Sequence, residues 1–561
     1  METFTSTLLR HFTQTPDQVA LTLLHSGAED QAVDYRSLVT HSLPFCAALQ
    51  RAGIQPGEVV ILIQEHGMDL VSAYFGVILH GAIPSIMPFL TEKLLPERYR
   101  SGLTSLIAIT QPAAIITYAE FETEVRTALT EGDSVRAVLV TEEVAQSGEG
   151  VELAALGGLQ REPDDIVLLQ HSSGTTGLQK GVALSHRAVF NQLESYRLAL
   201  HAGPDDVVVS WLPLYHDMGL IAGFLMPILC GMPLVLMSPF DWVRAPYRLM
   251  QAVSKYRGTL SWLPNFAYNF CAQKVRDRHM ERVDLSSWRA VINCSEPMRW
   301  ESHQTFLERF QPFGFREEAL ATCYAMAENV FAVTQGGMDA PVGFDDIDRE
   351  TFQVQRNAAP AVTGQPSLRM VSAGKPIRNV EVCILNEKGE QQPERQVGEI
   401  ALKSDCMLSG YFHRQDATQQ AFVNGWFLTG DYGYMVDGEV YVSGRKKDMI
   451  IVGGKNIYPQ DIEELVMEVP GVHPGRVVVF GLFNEEAGTE DVAVVAEVDT
   501  NDPQEKEKIA EMVRQTVARG SAVVLRYVHL VGAHWLVKTS SGKIARSANR
   551  EKFLDEINAQ G

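Results

Sequence analysis

The sequence predicts an α/β protein: a large N-terminal domain of helix-covered, mainly parallel sheets, followed by a small α+β domain. Two observations carry this. From about Val207 onward, short apolar runs alternate with amphipathic stretches, as expected of strands buried beneath helices on both faces. Near residue 444 the chain turns polar and glycine-rich (GRKKDMIIVGGKNI) and then begins a second, shorter set of elements. With 561 residues it has length for three or four packing units and needs no disulfide or structural metal to bury a core.

Taken in order, the opening stretch METFTSTLLRHFTQTPDQVAL has no basic region followed by a long apolar run, and reads as a short amphipathic helix ending before Thr15 and Pro16. GEVVILIQ and AAIITYA are strand candidates. Residues 207–212, 234–237, 259–263 and 290–293 read as buried strands, and YRLMQAVSKYR sets Leu249, Met250, Val253 and Tyr256 on one helical face. Residues 218–237 carry no charge over twenty positions, the length of a membrane span. Gly219, Gly223, Pro227, Gly231 and Pro233 interrupt them, so they read instead as a buried helix to about Leu229, a turn and a buried strand. No membrane span is expected. Beyond the boundary follow a helix at 459–469 opening on proline, strands at 476–480 and 492–498, a polar helix at 503–518 and a strand at 523–531. The predicted division is 1–444, a hinge at 445–448, and 449–561.

Composition excludes some functions. The 48 basic and 69 acidic residues give a net charge of −21, and no Lys/Arg stripe offsets it. Such a surface repels a phosphate backbone, so no nucleic-acid partner is expected. Seven scattered cysteines without a C-x-x-C pair suit reduced thiols and a cytoplasmic location.

The first chemical signal is QHSSGTTGLQKGVALSH at 170–186. Its glycines let the backbone turn tightly and approach an anion, its hydroxyls and N–H groups can bind phosphate oxygens, and its lysine adds a point charge. It is not a G-x-x-x-x-G-K-[ST] loop. The segment resembles the signature loop of the adenylate-forming enzymes: acyl-CoA synthetases, peptide-synthetase adenylation domains and luciferases. Gln179 stands where that family usually has proline. Further segments resemble the family in its order: WLPLYHDMGL (211–220), NCSEP (293–297), YAMAE (324–328), GWFLTGD (425–431), GRKKDMIIVGGKNIYPQDIE (444–463) and VKTSSGKIAR (537–546). Ala325 replaces a usual glycine and Val537 a frequent proline.

The resemblance implies that ATP and Mg²⁺ serve formation of an acyl adenylate. Two anions must then be aligned and neutralised. Ser172, Ser173, Gly174, Thr175, Thr176, Gly177 and Lys180 are expected to hold phosphates, and Ser295, Glu296, Pro297, Tyr324, Ala325 and Met326 to border the adenine. Asp431 and Arg445 are expected at the ribose, and Glu328 as the Mg²⁺ ligand. Lys543 is expected to be the catalytic lysine bridging carboxylate and α-phosphate, with His216 beside the substrate carboxylate. Alternatively, Lys543 is an ordinary solvated lysine and His216 a structural histidine.

No G-x-S-x-G elbow or H-E-x-x-H spacing supports a hydrolase or a metal site around the His216–Asp217 pair. Trp211, His216, Phe224, Trp262 and Phe266 are expected to wall the acyl pocket, although apolar residues of this kind are commonly plain core. The resemblance also implies that the small domain rotates about Lys447, bringing Gly453 and Gly454 to a pantetheine path.

The 44 residues from Glu328 to Ser372 resemble the insertion of fatty acyl-AMP ligases, or form a long surface loop. WLPLYHDMGL, SWLPNFAYNFC and NIYPQDIE point the same way. The expected activity is therefore a fatty acyl-AMP ligase that passes its acyl group from the adenylate to a carrier-protein phosphopantetheine. The alternatives are a fatty acyl-CoA ligase, a luciferase-like oxygenase and a non-catalytic nucleotide-binding relative.

Overall fold

A computed structural model of the chain describes residues 2–90, 96–146, 151–171, 180–452, 455–484, 489–521, 523–539 and 543–560. Two seven-stranded sheets form the large N-terminal region. In the first, the strands run in the order Leu320–Cys323, Ala290–Cys294, Leu260–Leu263, Val208–Ser210, Leu234–Met237, Val19–Leu24 and Gln31–Asp34, and all but the last are parallel. The second has five parallel strands, Val59–Leu62 at their centre and Ile166–His171 at one side, continued by Gly181–Ser185 and the short strand Gly410–Tyr411, each antiparallel to its neighbour. Their short Val- and Ile-rich runs are buried on both faces, which is why they read as continuous apolar segments.

The charge-free stretch lies inside the protein. Met218–Leu225 winds as a π-helix, Met226–Cys230 continues as α-helix, and Gly231 turns the chain at φ +74° into the buried strand Leu234–Met237. A Cβ at Gly219 would lie 2.2 Å from the Pro213 carbonyl oxygen, so only glycine fits there. Among the described residues no helix is long and apolar enough to cross a membrane.

One feature departs from the sequence reading, and a second bears on its two readings of the segment after Glu328. Residues 380–445 build an antiparallel sheet of Val380–Leu385, Gly398–Ser404, Trp426–Val436, Phe422–Val423 and Glu439–Arg445, which the parallel pattern did not anticipate. The segment after Glu328 is not a loop. Phe344–Asp348 pairs antiparallel with Ser367–Val371, and the helix Arg349–Gln355 lies between them. Ile347 and Phe352 pack with Tyr434, Tyr441 and Tyr458, which gives this segment a small core of its own.

Beyond the turn at 446–448, Val472–Asn484 and Thr489–Val498 pair antiparallel and Leu525–Val531 adds in parallel. The helices Pro459–Met467 and Pro503–Ser521 cover this sheet. Its apolar core draws only on residues from Ile450 onward, whereas the main core ends at Val440.

Candidate active site

Four strands of the first sheet set up the site. Parallel pairing brings Leu263 opposite Asn293, and Cys294 opposite Cys323. The loops that leave these strands, with the loop after Val208–Ser210, therefore open along one edge. The crevice at the carboxyl ends of parallel strands is where α/β sheets bind ligands. The segments that converge there are 211–218, 264–266, 295–299 and 324–328. Three of them were motifs in the sequence, and their distance along the chain hid how close they lie.

On one side stand the residues expected to meet a nucleotide. The Tyr324 hydroxyl donates to Asp431 Oδ2 at 2.7 Å, and Arg445 Nε lies 3.0 Å from Asp431 Oδ1. The neighbouring Asp431 carboxylate raises the guanidinium of Arg445 above its ordinary value. Burial and the same carboxylate push the Tyr324 phenol up. Glu328 accepts a hydrogen bond from the Tyr411 hydroxyl at 2.8 Å. Removal from water raises its carboxyl above the usual range despite that bond. Lys180 Nζ sits 4.5 Å over the Tyr411 ring. One tyrosine therefore touches both the phosphate-side lysine and the carboxylate expected to hold metal.

Two residues beyond Glu328, Val330 has φ +62° and ψ −55°, and Phe331 N–H donates to Asn329 O at 2.6 Å. This is a γ-turn of the strained kind around a β-branched residue, and strain of this sort gathers at functional sites. Ala325 bridges Ala332, Met326 N–H donates to Phe331 O, and both residues are half-buried.

Lys543 arrives from the far side. Its Nζ donates to the Ser295 carbonyl oxygen at 2.8 Å, 248 residues away. Ser295 is itself left-handed at φ +70°, which sharply turns the chain as it leaves its strand. Glu296 Oε2 accepts from Phe266 N–H at 2.9 Å, and Pro297 is exposed. His216 Nδ1 lies 2.6 Å from Asp217 Oδ1, and Met218 N–H donates to the same oxygen at 2.8 Å. Burial pushes the Asp217 carboxyl up, but His216, Lys543 and the Met218 N–H outweigh it and hold the group below its usual value.

Trp211, Pro213, His216, Gly219, Phe266 and Lys543 line a mainly apolar cleft. Three expected pocket residues, Trp211, His216 and Phe266, are among them. Phe224 and Trp262 are placed elsewhere. Phe224 packs on Tyr74 and Phe75, and Trp262 donates its indole N–H to the Tyr196 hydroxyl at 2.7 Å. Lys447 is exposed in the turn after Arg445. Ser172, Ser173, Gly174, Thr175, Thr176, Gly177, Gly453 and Gly454 lie outside the described residues.

Polar contacts close the small domain over this site. Arg299 Nη1 lies 2.8 Å from Glu464 Oε2, and Arg299 Nη2 donates to Gln460 O at 3.2 Å. Lys446 Nζ meets Glu399 Oε2 at 2.8 Å. Within the small domain, Arg546 reaches Asp448 at 2.8 Å, Glu463 at 2.7 Å and Val479 O at 2.8 Å, which ties the lysine segment to the turn at 446–448. Asp217, Arg299, Tyr411 and Arg546 went unread as site residues in the sequence. Only Asp217, Arg299 and Arg546 carried a signal, since each stands within or directly beside a matched motif.

The profile of the AMP-binding enzyme family matches residues 8–412. A medium-chain-fatty-acid–[acyl-carrier-protein] ligase of Moorena producens, JamA, is 31% identical over 96% of this chain and 92% of its own length. A long-chain-fatty-acid–AMP ligase of Mycobacterium marinum is 29% identical over 89% of this chain and 86% of its own. A solved structure from work on fatty acyl-adenylate ligases of E. coli and L. pneumophila superposes with a TM-score of 0.90 at 28% identity, covering 100% of this chain and 99% of that one. The chain therefore belongs to the AMP-binding enzyme family.

Proposed function

We propose that this protein is a fatty acyl-AMP ligase that adenylates a fatty acid with ATP and then hands the acyl group to the phosphopantetheine thiol of an acyl carrier protein. One observation carries the reading. The Lys543 ammonium sits where an apolar cleft meets the nucleotide-side loops, 2.8 Å from the Ser295 carbonyl. The names of the relatives, a carrier-protein ligase and a fatty-acid–AMP ligase, support the substrate class and the acceptor.

In the first step a carboxylate oxygen attacks the α-phosphorus, the bond from that phosphorus to the bridging oxygen breaks, and pyrophosphate leaves with the electron pair. Lys543 lies where it can neutralise the carboxylate and α-phosphate together, with His216 held beside it by Asp217. Tyr324, Asp431 and Arg445 would hold adenosine, and Lys180 the departing phosphates. In the second step the thiol sulfur attacks the acyl carbonyl, loses its proton, and AMP leaves.

The carboxylate of Glu328 fits Mg²⁺. It is a hard oxygen donor raised in pKa by burial, hydrogen-bonded by Tyr411, and a nearby cation would relieve it. Glu328 would hold the ion, whose chemistry there would be to offset negative charge on the leaving phosphates.

For the acceptor, the helix Arg349–Gln355 favours a restrained small domain. Asn456 Nδ2 donates to Gln353 O at 3.3 Å, and Arg356 Nη2 donates to Asn456 Oδ1 at 3.4 Å. These contacts must break if the small domain turns about 445–448 to admit a thiol past Gly453 and Gly454. The test is mass spectrometry of products from enzyme, ATP, Mg²⁺ and a fatty-acid panel, with CoA and phosphopantetheinylated carrier in parallel. Acyl-AMP and loaded carrier without acyl-CoA are expected. Abundant acyl-CoA would instead assign a CoA ligase.

A further inference from the structure

Trp211, which lines the apolar cleft, stacks on a second indole, that of Trp242. Trp211 directly follows the strand Val208–Ser210, and Trp242 lies on the helix Pro239–Arg244 that follows the adjacent strand Leu234–Met237. Register places Leu236 opposite Ser210, so both tryptophans emerge at the same end of the sheet. Their ring centroids are 3.5 Å apart and their planes differ by 7°. Two carbon surfaces at that distance are in van der Waals contact, and a methylene between them would need about 3.5–4.0 Å on each side.

Trp242 is fully buried, with Phe266 at 6.1 Å and 71° and Phe270 at 5.3 Å and 48°. Phe266 also meets Trp211 edge-on at 6.4 Å. Trp211 and Phe266 line the cleft, and Trp242, which does not line it, packs against both. The Trp242 indole N–H has no hydrogen-bond partner among the described residues. Core packing alone would be met at lower cost by phenylalanine, which has no polar atom to bury.

Building on the fatty-acid reading above, we propose that the Trp211–Trp242 stack is the chain-length stop of the acyl cleft. Trp242 sets it, so the protein adenylates short- and medium-chain acids and rejects long ones. Each methylene buried before the stop strengthens binding by up to about fourfold. A methylene that reaches the stack must force apart rings already in contact. Specificity therefore rises with length and then breaks, instead of levelling off.

The experiment measures kcat/KM for acyl-AMP formation from butanoic to octadecanoic acid in the wild-type chain, Trp242→Leu and Trp242→Phe, with thermal unfolding as the control for folding. The wild type is expected to break at medium length. In Trp242→Leu the ratio of kcat/KM for hexadecanoate over octanoate is expected to rise at least about tenfold, the gain of two buried methylenes. The smaller change in Trp242→Phe keeps an aromatic ring in place and moves the break by one or two methylenes, which keeps the test valid if the leucine variant does not fold. A wild type that turns over hexadecanoate as well as octanoate overturns the proposal, as does an unmoved break in a folded variant. Failure to form an adenylate from any acid would remove the ligase reading as well, a result distinct from a flat length profile.

Discussion

Trp211, Pro264, Ser295 and Tyr324 leave the ends of four hydrogen-bonded strands, whereas Lys543 reaches the same site from the opposite side, on a domain held mainly by polar contacts with one apolar contact of Tyr458 on Phe352. The first group is fixed by backbone ladders and an apolar core that are lost only on unfolding. The second is fixed by a lysine–carbonyl bond, the Arg299–Glu464 pair and a few further contacts at a polar boundary. A floor of this kind can hold a nucleotide in one geometry. A cover of this kind can be released at a cost of a few kcal/mol or less, since half-exposed ion pairs contribute about 0–1 kcal/mol each. The division of labour between a permanent platform and a releasable reactive group suits a two-step reaction with two different acceptors.

The sharpest way to break this comparison is Lys543→Ala. Adenylate formation by ATP–pyrophosphate exchange should fall by about 10²–10³-fold, the scale for removing one preorganised charge donor. ATP affinity by calorimetry should change little, because the floor is untouched. Loss of ATP binding would mean that the cover, and not the floor, holds the nucleotide.

Glu328→Gln tests whether the floor carries strain for function. Burial raises the Glu328 carboxyl in the folded state, so folding favours the protonated form. The stability linked to this group is complete below the unfolded value of about 4.3 and is lost as pH rises through the raised folded value. At neutral pH the ionised side chain opposes folding. The glutamine variant should therefore melt about 1–3 °C higher at pH 7.5, show no gain near pH 4, and adenylate at least about tenfold more slowly. A lower melting temperature at pH 7.5 would contradict this sign.

Tyr411→Phe removes the hydroxyl on Glu328 and keeps the ring beneath Lys180. The magnesium concentration for half-maximal rate, and Mn²⁺ affinity by paramagnetic resonance, should shift by about three- to tenfold, the scale of one charge-assisted hydrogen bond. Unchanged metal dependence would make Tyr411 a packing residue only. Arg299→Ala should have the smallest effect, a loss of adenylation of about two- to fivefold whose size no longer depends on salt once the pair is gone. Proteolysis around 446–448 should quicken; equal rates in variant and wild type would show that Arg299 does not help hold the cover.

The parallel strands were legible because burial on both faces writes them as apolar runs. The strand Leu234–Met237 and the helices opening at Pro459 and Pro503 begin where those signals put them. The residues at 344–371 were not legible as structure, since the acidic FDDID and the Ala-, Pro- and Gly-rich run after it match neither the period of a buried strand nor that of a helix. Their order comes from tertiary packing on Tyr434 and Tyr458.

Within the candidate site, motif spacing pointed to Lys543, Glu328 and Asp431, which the structure puts in contact with Ser295, Tyr411 and Tyr324. It could not say which face of a buried segment opens to the cleft. Phe224 and Trp262 therefore packed away from it, while Trp242, which reads as ordinary core, stacked behind Trp211. Tyr411 carries no local signal at all. It reaches Glu328 because its two-residue strand pairs with Val182, far away in sequence.

The bond from Lys543 to the Ser295 carbonyl has a kinetic consequence. Before any substrate binds, the ammonium is already docked on a neutral backbone acceptor inside the cleft, so its rotamer freedom is spent during folding and not during the reaction. Incoming anions need only displace a stand-in, an exchange of one acceptor for a stronger one over a short distance, with little reorganisation left to slow the step.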